Sequence, residues 1–393
     1  MAAAAPVRLL PWLGRYSTIF SSSDCGEPLS GGLPVFSGRQ IHLDGPLLIG
    51  VLAVSALGVV AIYSASGQSL DIMYRQLLRL GISMVVMVAL AQVPPEAVRR
   101  LSPHIFVIGI VVLTLVLVVG TVGKGAQRWL DLGLIRFQPS EVMKLGVPMS
   151  VAWLLARQQL PPRFGEVLIA LTLTLLPAAL VVVQPDLGTA IMLAISGLLV
   201  LFLGGIRWRH LLMMLAATAA VAPYLWSELH DYQRQRILTM FNPFSDPLGT
   251  GYQTIQSQIA IGSAGVAGKG WLAGSQSHLE FIPSRSTDFI FSVFAEEFGL
   301  IGSVALILLY LFVVGRCLVM AYQARETYSR LLIGGLALTF FFYLFVNLGM
   351  VSGILPVVGV PLPLISYGGT SMVTLMAAFG IIMGLHSRRR LMA

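Results

Sequence analysis

Long apolar runs separated by short polar breaks recur along almost the whole chain. Runs long enough to cross a bilayer as helices, about 17–25 residues each, fall at roughly 46–64, 74–92, 104–122, 139–157, 165–183, 187–205, 209–226, 289–315, 331–352 and 364–385. The pattern predicts an all-α integral membrane protein with ten transmembrane helices. The stretch from 165 to 205 is nearly continuous, but Gln184-Pro185-Asp186 interrupts it. Proline has no amide to donate and pushes the residue before it out of the helical region, so two spans are expected there. Three parts follow: a Ser-, Gly- and Pro-rich flexible tail over 1–45, a transmembrane domain over 46–385, and a short basic tail over 386–393. Two loops are long. One covers about 123–140; the other, about 227–288 between spans 7 and 8, is the large extracytoplasmic loop. A loop that long is a functional candidate. Within it Gln256, Ile259, Ala260 and Gly262 have helical spacing, which predicts short helices lying on the membrane.

Composition agrees with the pattern. Of 393 residues, 56% are hydrophobic and only 11% charged, against about a quarter charged in soluble domains. Basic residues favour one set of segments, among them Arg99, Arg100, Arg157, Arg163, Arg325 and the run Arg388 to Arg390. They outnumber those on the opposite side by about two to one, which by the positive-inside rule makes both termini cytoplasmic. The setting is a bacterial-type inner membrane. Acids lean outward (Asp131, Asp186, Glu228, Glu280, Asp288). The chemistry is therefore expected on the outer face, where nucleotide donors are not available. No basic cluster is interleaved with aromatics, which argues against nucleic acid. No signal peptide with a cleavage site precedes the first span. Cys25 and Cys317 have neither metal-type nor disulfide-framework spacing, and the six histidines form no ligand pair.

Several motifs carry candidate chemistry. "GSAGVAGKGW" fails as a P-loop, since Ser263 and Gly270 occupy positions that need Gly and Ser/Thr. It remains a glycine-rich turn that lets Lys269 approach an anion, or a plain turn. Lys124, Arg128 and Arg136 sit in the first long outer loop against the charge bias. They are snorkelling cations or partners of a lipid-linked phosphate. Glu141 and Lys144 form an i,i+3 pair at the start of the fourth span, either dipole and helix support or functional ionisable groups. The stretch "SRSTDFIFSVFAEEFGLIG" opens on Arg285 and Asp288 and carries Glu296 and Glu297 inside the eighth span. Asp288 is a first-turn residue of a helix capped by Ser286 or Thr287, or a reactive carboxylate at the outer boundary. Acids in a span usually have partners, and two adjacent ones cannot share a face. Glu296 or Glu297 lines the same cavity as Asp288 or pairs with a buried cation.

"KGAQRWLDLGLIRFQPSEVMKL", "QPDLGTA", "GTGYQTIQSQIAIGSAG", "LEFIPSRSTDFIFSVFAEEFGLIG" and "GILPVVGVPLPLISYGGTSM" together resemble the SEDS family of ten-span bacterial proteins, which includes RodA and FtsW. The resemblance covers about 45–385, and the last two motifs look more like the RodA (elongation) branch than the FtsW (division) branch. It implies a peptidoglycan glycosyltransferase that polymerises lipid II, the undecaprenyl-pyrophosphate disaccharide-pentapeptide, at the outer leaflet. The family's essential aspartate falls on Asp288, and Ser286 stands where the family usually has His. Lys124, Arg128, Glu141, Gln258, Lys269 and Arg285 are then candidates for sugar and pyrophosphate contacts, with or without a divalent cation such as Mg or Mn. The resemblance also implies partnership with a class B penicillin-binding protein transpeptidase and other rod-complex membrane proteins. Other readings are a lipid II flippase, a non-catalytic scaffold of that complex, or a division-type role. The prolyl segment "PVVGVPLPLISYGG" is expected to wall a lateral groove, or else to be a plain loop before the last helix.

Overall fold

A computed structural model of the chain describes residues 42–123, 126–131, 136–228, 234–235, 238–239, 251–275 and 284–387. Ten helices fall on the ten apolar runs: α1 (Gly45–Ala65), α2 (Leu70–Ala91), α3 (Pro95–Val119), α4 (Pro139–Leu155), α5 (Phe164–Val183), α6 (Leu187–Leu203), α7 (Trp208–Glu228), α9 (Ile290–Gln323), α10 (Thr327–Val351) and α11 (Gly369–Ser387). Among the described residues, eight of these are long and apolar enough to cross a membrane. The other two, α4 and α6, have 17 residues each. Large apolar side chains such as Ile49, Val85, Val118 and Leu215 stay exposed around the perimeter. That is stable when the surrounding solvent is lipid, because apolar side chains there meet an apolar environment and the helices satisfy most of their backbone groups internally. The Gln184-Pro185-Asp186 break separates α5 from α6 as the proline predicts, and the Asp186 side chain accepts the Thr189 amide at 3.2 Å to start the new helix.

The first long loop is partly β rather than wholly irregular. Strands β1 (Thr121–Gly123), β2 (Ala126–Asp131) and β3 (Arg136–Phe137) form a small antiparallel sheet in the order β1-β2-β3. In the second long loop, α8 (Tyr252–Ser263) matches the helical spacing. It is docked on the end of the bundle rather than merely lying on the membrane. Its Thr254, Ser257 and Ala260 are buried at three-residue spacing, and Ser257 Oγ donates to the Val351 carbonyl at 2.7 Å.

Two departures from straight helices shape the molecule. The eighth run is one 34-residue element, α9, broken at Gly299, which has φ +67°. The break frees backbone groups, and the glycine-rich segment takes them up. Lys269 N donates to Glu296 O, Gly270 N to Glu297 O, Leu300 N to Gly265 O and Ile301 N to Val266 O, at 3.0–3.1 Å. Gly268 (φ +81°) lies so close that a Cβ there would be 2.1 Å from the Glu297 carbonyl oxygen. Only glycine tolerates both that dihedral and that approach. The second departure is α11. It runs parallel to α2, with Gly380 against Met87 and Gly384 against Ala91. It begins at Gly369, beside Arg79 of α2. Its first turn therefore lies well below the start of α2, and the prolyl segment between α10 and α11 fills that level.

Candidate active site

The carboxylate singled out from sequence sits in a tight turn, not inside a helix. Residues 284–289 form consecutive turns and α9 starts at Ile290. Phe289 is the helix-capping position and makes no side-chain capping bond. Thr287 Oγ1 donates back to the Ser284 carbonyl at 3.2 Å, so neither Ser286 nor Thr287 caps α9. Asp288 is half-buried one residue ahead of Phe289, near the positive end of the helix dipole, which favours an ionised carboxylate.

The prolyl segment holds this turn from the other side. Ser366 Oγ donates to the Thr287 carbonyl at 2.6 Å, and the Tyr367 amide donates to the Ser286 carbonyl at 2.9 Å. Asn347 of α10 spans both parts. Its Nδ2 donates to the Asp288 carbonyl at 2.9 Å and to the Val360 carbonyl at 2.7 Å. The segment is itself anchored: the Leu362 amide donates to Ser366 Oγ at 2.7 Å, and the Tyr310 hydroxyl donates to the Pro363 carbonyl. Bare glycines let it pass close to two other helices. A Cβ on Gly58 would be 2.9 Å from the Leu364 carbonyl oxygen, and one on Gly188 would be 2.3 Å from that of Val358. The carboxylate is near Gly359, where a Cβ would lie 3.7 Å from Asp288 Oδ2. The prolyl segment is thus a fixed wall of the Asp288 site, as irregular backbone at membrane depth must be when it is held by protein.

The two acids inside the eighth span resolve into separate partnerships. Glu296 is fully buried and pairs with Lys269 Nζ at 2.7 Å, with Ser275 Oγ bonded to both. Glu297 is also buried and accepts from the Ser64 hydroxyl of α1. Lys269, expected as an anion contact, is engaged by the carboxylate 27 positions along the chain. Arg128 is likewise held by protein. It donates to the Gln184 and Pro185 carbonyls at 3.3 and 2.5 Å and lies 3.4 Å from Asp186, pinning β2 to the α5–α6 break.

Glu141 and Lys144 form a 2.7 Å ion pair enclosed by α4, α10 and α11, with the ammonium 5.2 Å from the Tyr343 ring centre. They line a cavity of about 30 Å³, room for about two waters. Glu141 Oε2 faces no protein partner there. Gln258 Nε2 donates to the Ser352 carbonyl at 3.1 Å, which ties α8 to the end of α10. Arg285 is half-buried at the end of α1, where a Cβ on Gly67 would be 3.9 Å from its Nη2. Lys124 lies outside the described residues. Among the described residues, no group of three His, Cys, Asp or Glu is placed to hold a metal ion.

Two residues at the site escaped the sequence reading. Asn347 sits in an apolar helix with no motif around it. Arg79 lies in α2 with its guanidinium 4.4 Å from the Tyr367 ring centre. An Arg within an apolar run, one turn beyond Arg75, was the available signal for the second. Nothing marked the first.

Comparison with known proteins agrees with this geometry. The FtsW/RodA/SpoVE model, described as a cell cycle protein, matches residues 43–391. The chain is 50% identical over 355 residues to the peptidoglycan glycosyltransferase MrdB of Escherichia coli K12, covering 90% of this chain and 96% of that one. It is 35% identical over 363 residues to the probable peptidoglycan glycosyltransferase FtsW of Idiomarina loihiensis, covering 89% and 88%. Among solved structures, a chain of a peptidoglycan synthase complex that coordinates polymerization and crosslinking superposes with a TM-score of 0.79 at 35% identity, covering 89% and 99%. The rod shape determining protein RodA of Thermus thermophilus does so at 0.68 and 31%, covering 88% and 97%. The chain belongs to the FtsW/RodA/SpoVE family, the SEDS proteins, and is most similar to its RodA branch.

Proposed function

We infer that the chain is a peptidoglycan glycosyltransferase of a multi-pass bacterial membrane, acting on lipid II with Asp288 as general base. The observation that carries the role of Asp288 is its placement. It is half-buried, adjoins a helix N-terminus, and stands in a turn fixed by three hydrogen bonds from Asn347, Ser366 and Tyr367. In the reaction the acceptor's GlcNAc 4-hydroxyl attacks C1 of the donor's MurNAc. The O4–C1 bond forms, the C1–O bond to pyrophosphate breaks, and the hydroxyl proton passes to Asp288. Configuration at C1 inverts from α to β. Glycoside hydrolysis uses two carboxylates because its leaving alkoxide needs a proton. Pyrophosphate leaves as an anion and needs none, so one base suffices. That Glu296 and Glu297 are engaged elsewhere fits a single-carboxylate mechanism.

Our reading places the Asp288 end of the bundle at the outer leaflet, both termini in the cytoplasm and ten crossings between them, supported by the arginine bias and the ten helices. No catalytic step is routed through a metal; any Mg or Mn ion would arrive on the substrate's pyrophosphate, since the described residues form no carboxylate cage. The partner is proposed to be a class B penicillin-binding protein transpeptidase within a rod complex, by analogy with the synthase complex that the fold resembles. Polymerisation of purified lipid II tests the reading. The wild-type protein, with its partner present, is expected to make glycan chains and Asp288→Asn none, with both equally folded. Equal chains from both would remove Asp288 as base. Lipid transport without chain growth would favour a flippase.

A further inference from the structure

We propose that Arg79, set against the first turn of α11 and the ring of Tyr367, binds the lipid-linked pyrophosphate of the substrate; only the identity of that ligand rests on the glycosyltransferase reading. The argument begins with a cation in an unfavourable place. Arg79 is nine residues beyond the start of α2, about 13 Å down the helix at 1.5 Å per residue. An arginine at such depth in a span is costly and marks a functional site by default. The neighbouring Arg75 needs no such explanation, because it is exposed and pairs with Asp71 at 2.8 Å.

Arg79 has no carboxylate partner among the described residues. Its guanidinium is half-buried and lies over the Tyr367 ring at 4.4 Å. Its Nε is 3.4 Å from where a Cβ on Gly369 would stand, and Gly369 opens α11. A helix N-terminus carries partial positive charge and free amides. A guanidinium beside it is repelled by the dipole, and among the described residues no carboxylate pairs with it. The arrangement becomes favourable when an anion joins both. Phosphate suits the pair, since it accepts from a planar arginine fork and from helix amides alike.

The position fits the reaction. Tyr367, under the guanidinium, donates its amide to Ser286, two residues before Asp288. The anion site and the carboxylate therefore share one rigid segment. Two other candidate cations are already engaged, Arg128 by backbone carbonyls and Asp186, Lys269 by Glu296. Arg79 has no such carboxylate partner among the described residues, and it stands where a lipid phosphate arriving from the side of α2 and α11 would meet it.

Binding without turnover tests this. The Asp288→Asn protein in phosphatidylcholine nanodiscs is titrated with undecaprenyl pyrophosphate and, separately, with undecaprenol. Adding Arg79→Gln is expected to raise Kd for the pyrophosphate at least tenfold and leave undecaprenol unchanged. Arg79→Lys, which keeps charge but loses the planar fork, is expected to weaken binding several-fold and serves if the Gln variant does not fold. In the otherwise wild-type protein, Arg79→Gln should raise KM for lipid II more than it lowers kcat. Unchanged pyrophosphate affinity in the variants overturns the proposal. Equal losses for both ligands would make Arg79 a packing residue. Competition by phosphatidylglycerol as effective as that by the pyrophosphate would make this a general phospholipid site. If Asp288→Asn itself polymerises lipid II, the base assignment fails while the binding result stands on its own.

Discussion

Asn347 carries more of the site than its apolar surroundings suggest. It is fully buried, and both hydrogens of its amide are used, one on the turn that bears Asp288 and one on the prolyl wall. Asn347→Leu would strand the Val360 carbonyl, buried, and the Asp288 carbonyl, part-buried; a buried one left unpaired costs about 1–3 kcal/mol. The melting temperature should fall, and kcat should drop at least about tenfold with KM little changed, because geometry rather than binding is lost. Asn347→Asp puts a carboxyl where the amide donates to two carbonyls, and it can replace only one of those bonds, as the protonated acid. Its melting temperature should fall at pH 7 and recover in part as the pH drops; a loss that is the same at every pH would mean that the two carbonyls do not need a donor there. Asp288 itself was legible because a charged residue at the mouth of an apolar run is conspicuous. Asn347 was not, because a single amide in a helix acquires meaning only from the two strangers it joins in space.

At the scale of elements, the break in α9 decides what the glycine-rich motif is for. Glu296 sits in the membrane interior with Lys269 as its counter-charge, and Lys269 reaches it because the segment 265–270 pairs with the backbone around Gly299. Removing one partner of a buried pair leaves an uncompensated charge and costs about 3–5 kcal/mol. Lys269→Met is therefore expected to destabilise the protein strongly, and Lys269→Met with Glu296→Gln to recover most of the loss in a thermal melt. A substrate-binding lysine would behave differently: activity would fall in both variants while stability barely changed. Gly299→Val should be as harmful as the lysine change, since φ +67° and the approach of Gly268 leave no room for a side chain. The sequence shows that the acids need partners, but the eighth run has the periodicity of an uninterrupted helix. A glycine at positive φ gives no hydrophobic signal, so the break and the pairing it creates had to be seen. The small sheet at 121–137 was missed for a similar reason, its strands being too short to show alternation.

For the whole molecule, the apolar runs give the helices one for one, because spanning length and internal hydrogen bonding leave few alternatives in lipid, but not their ends: the run from 104 belongs to a helix that starts at Pro95, and the run ending at 315 to one that continues to Gln323. Nor do they give which helices touch. The contact between α1 and the far end of α9 shows this. Asp44 caps α1 through the Leu47 amide at 3.0 Å and takes a two-pronged contact from Arg316 of α9, at 3.0 and 2.6 Å, though the two residues are 272 positions apart. Burial alone would raise the Asp44 carboxyl, but the Arg316 hydrogen bonds, the Leu47 amide and the Arg316 charge outweigh it and hold the group below its ordinary value of 3.8. A depressed folded pKa contributes stability that is complete above the unfolded value and fades as pH falls through the folded one. Wild type should therefore melt several degrees above Asp44→Asn at pH 7, and the gap should narrow as the pH drops below 3.8. Asparagine keeps the cap and loses the ionic bonds, so a gap that persists undiminished at the acid end would assign the difference to the cap's shape rather than to its charge. The same melts on Arg316→Met should mirror those on Asp44→Asn, because either change leaves one end of α9 untied from the start of α1.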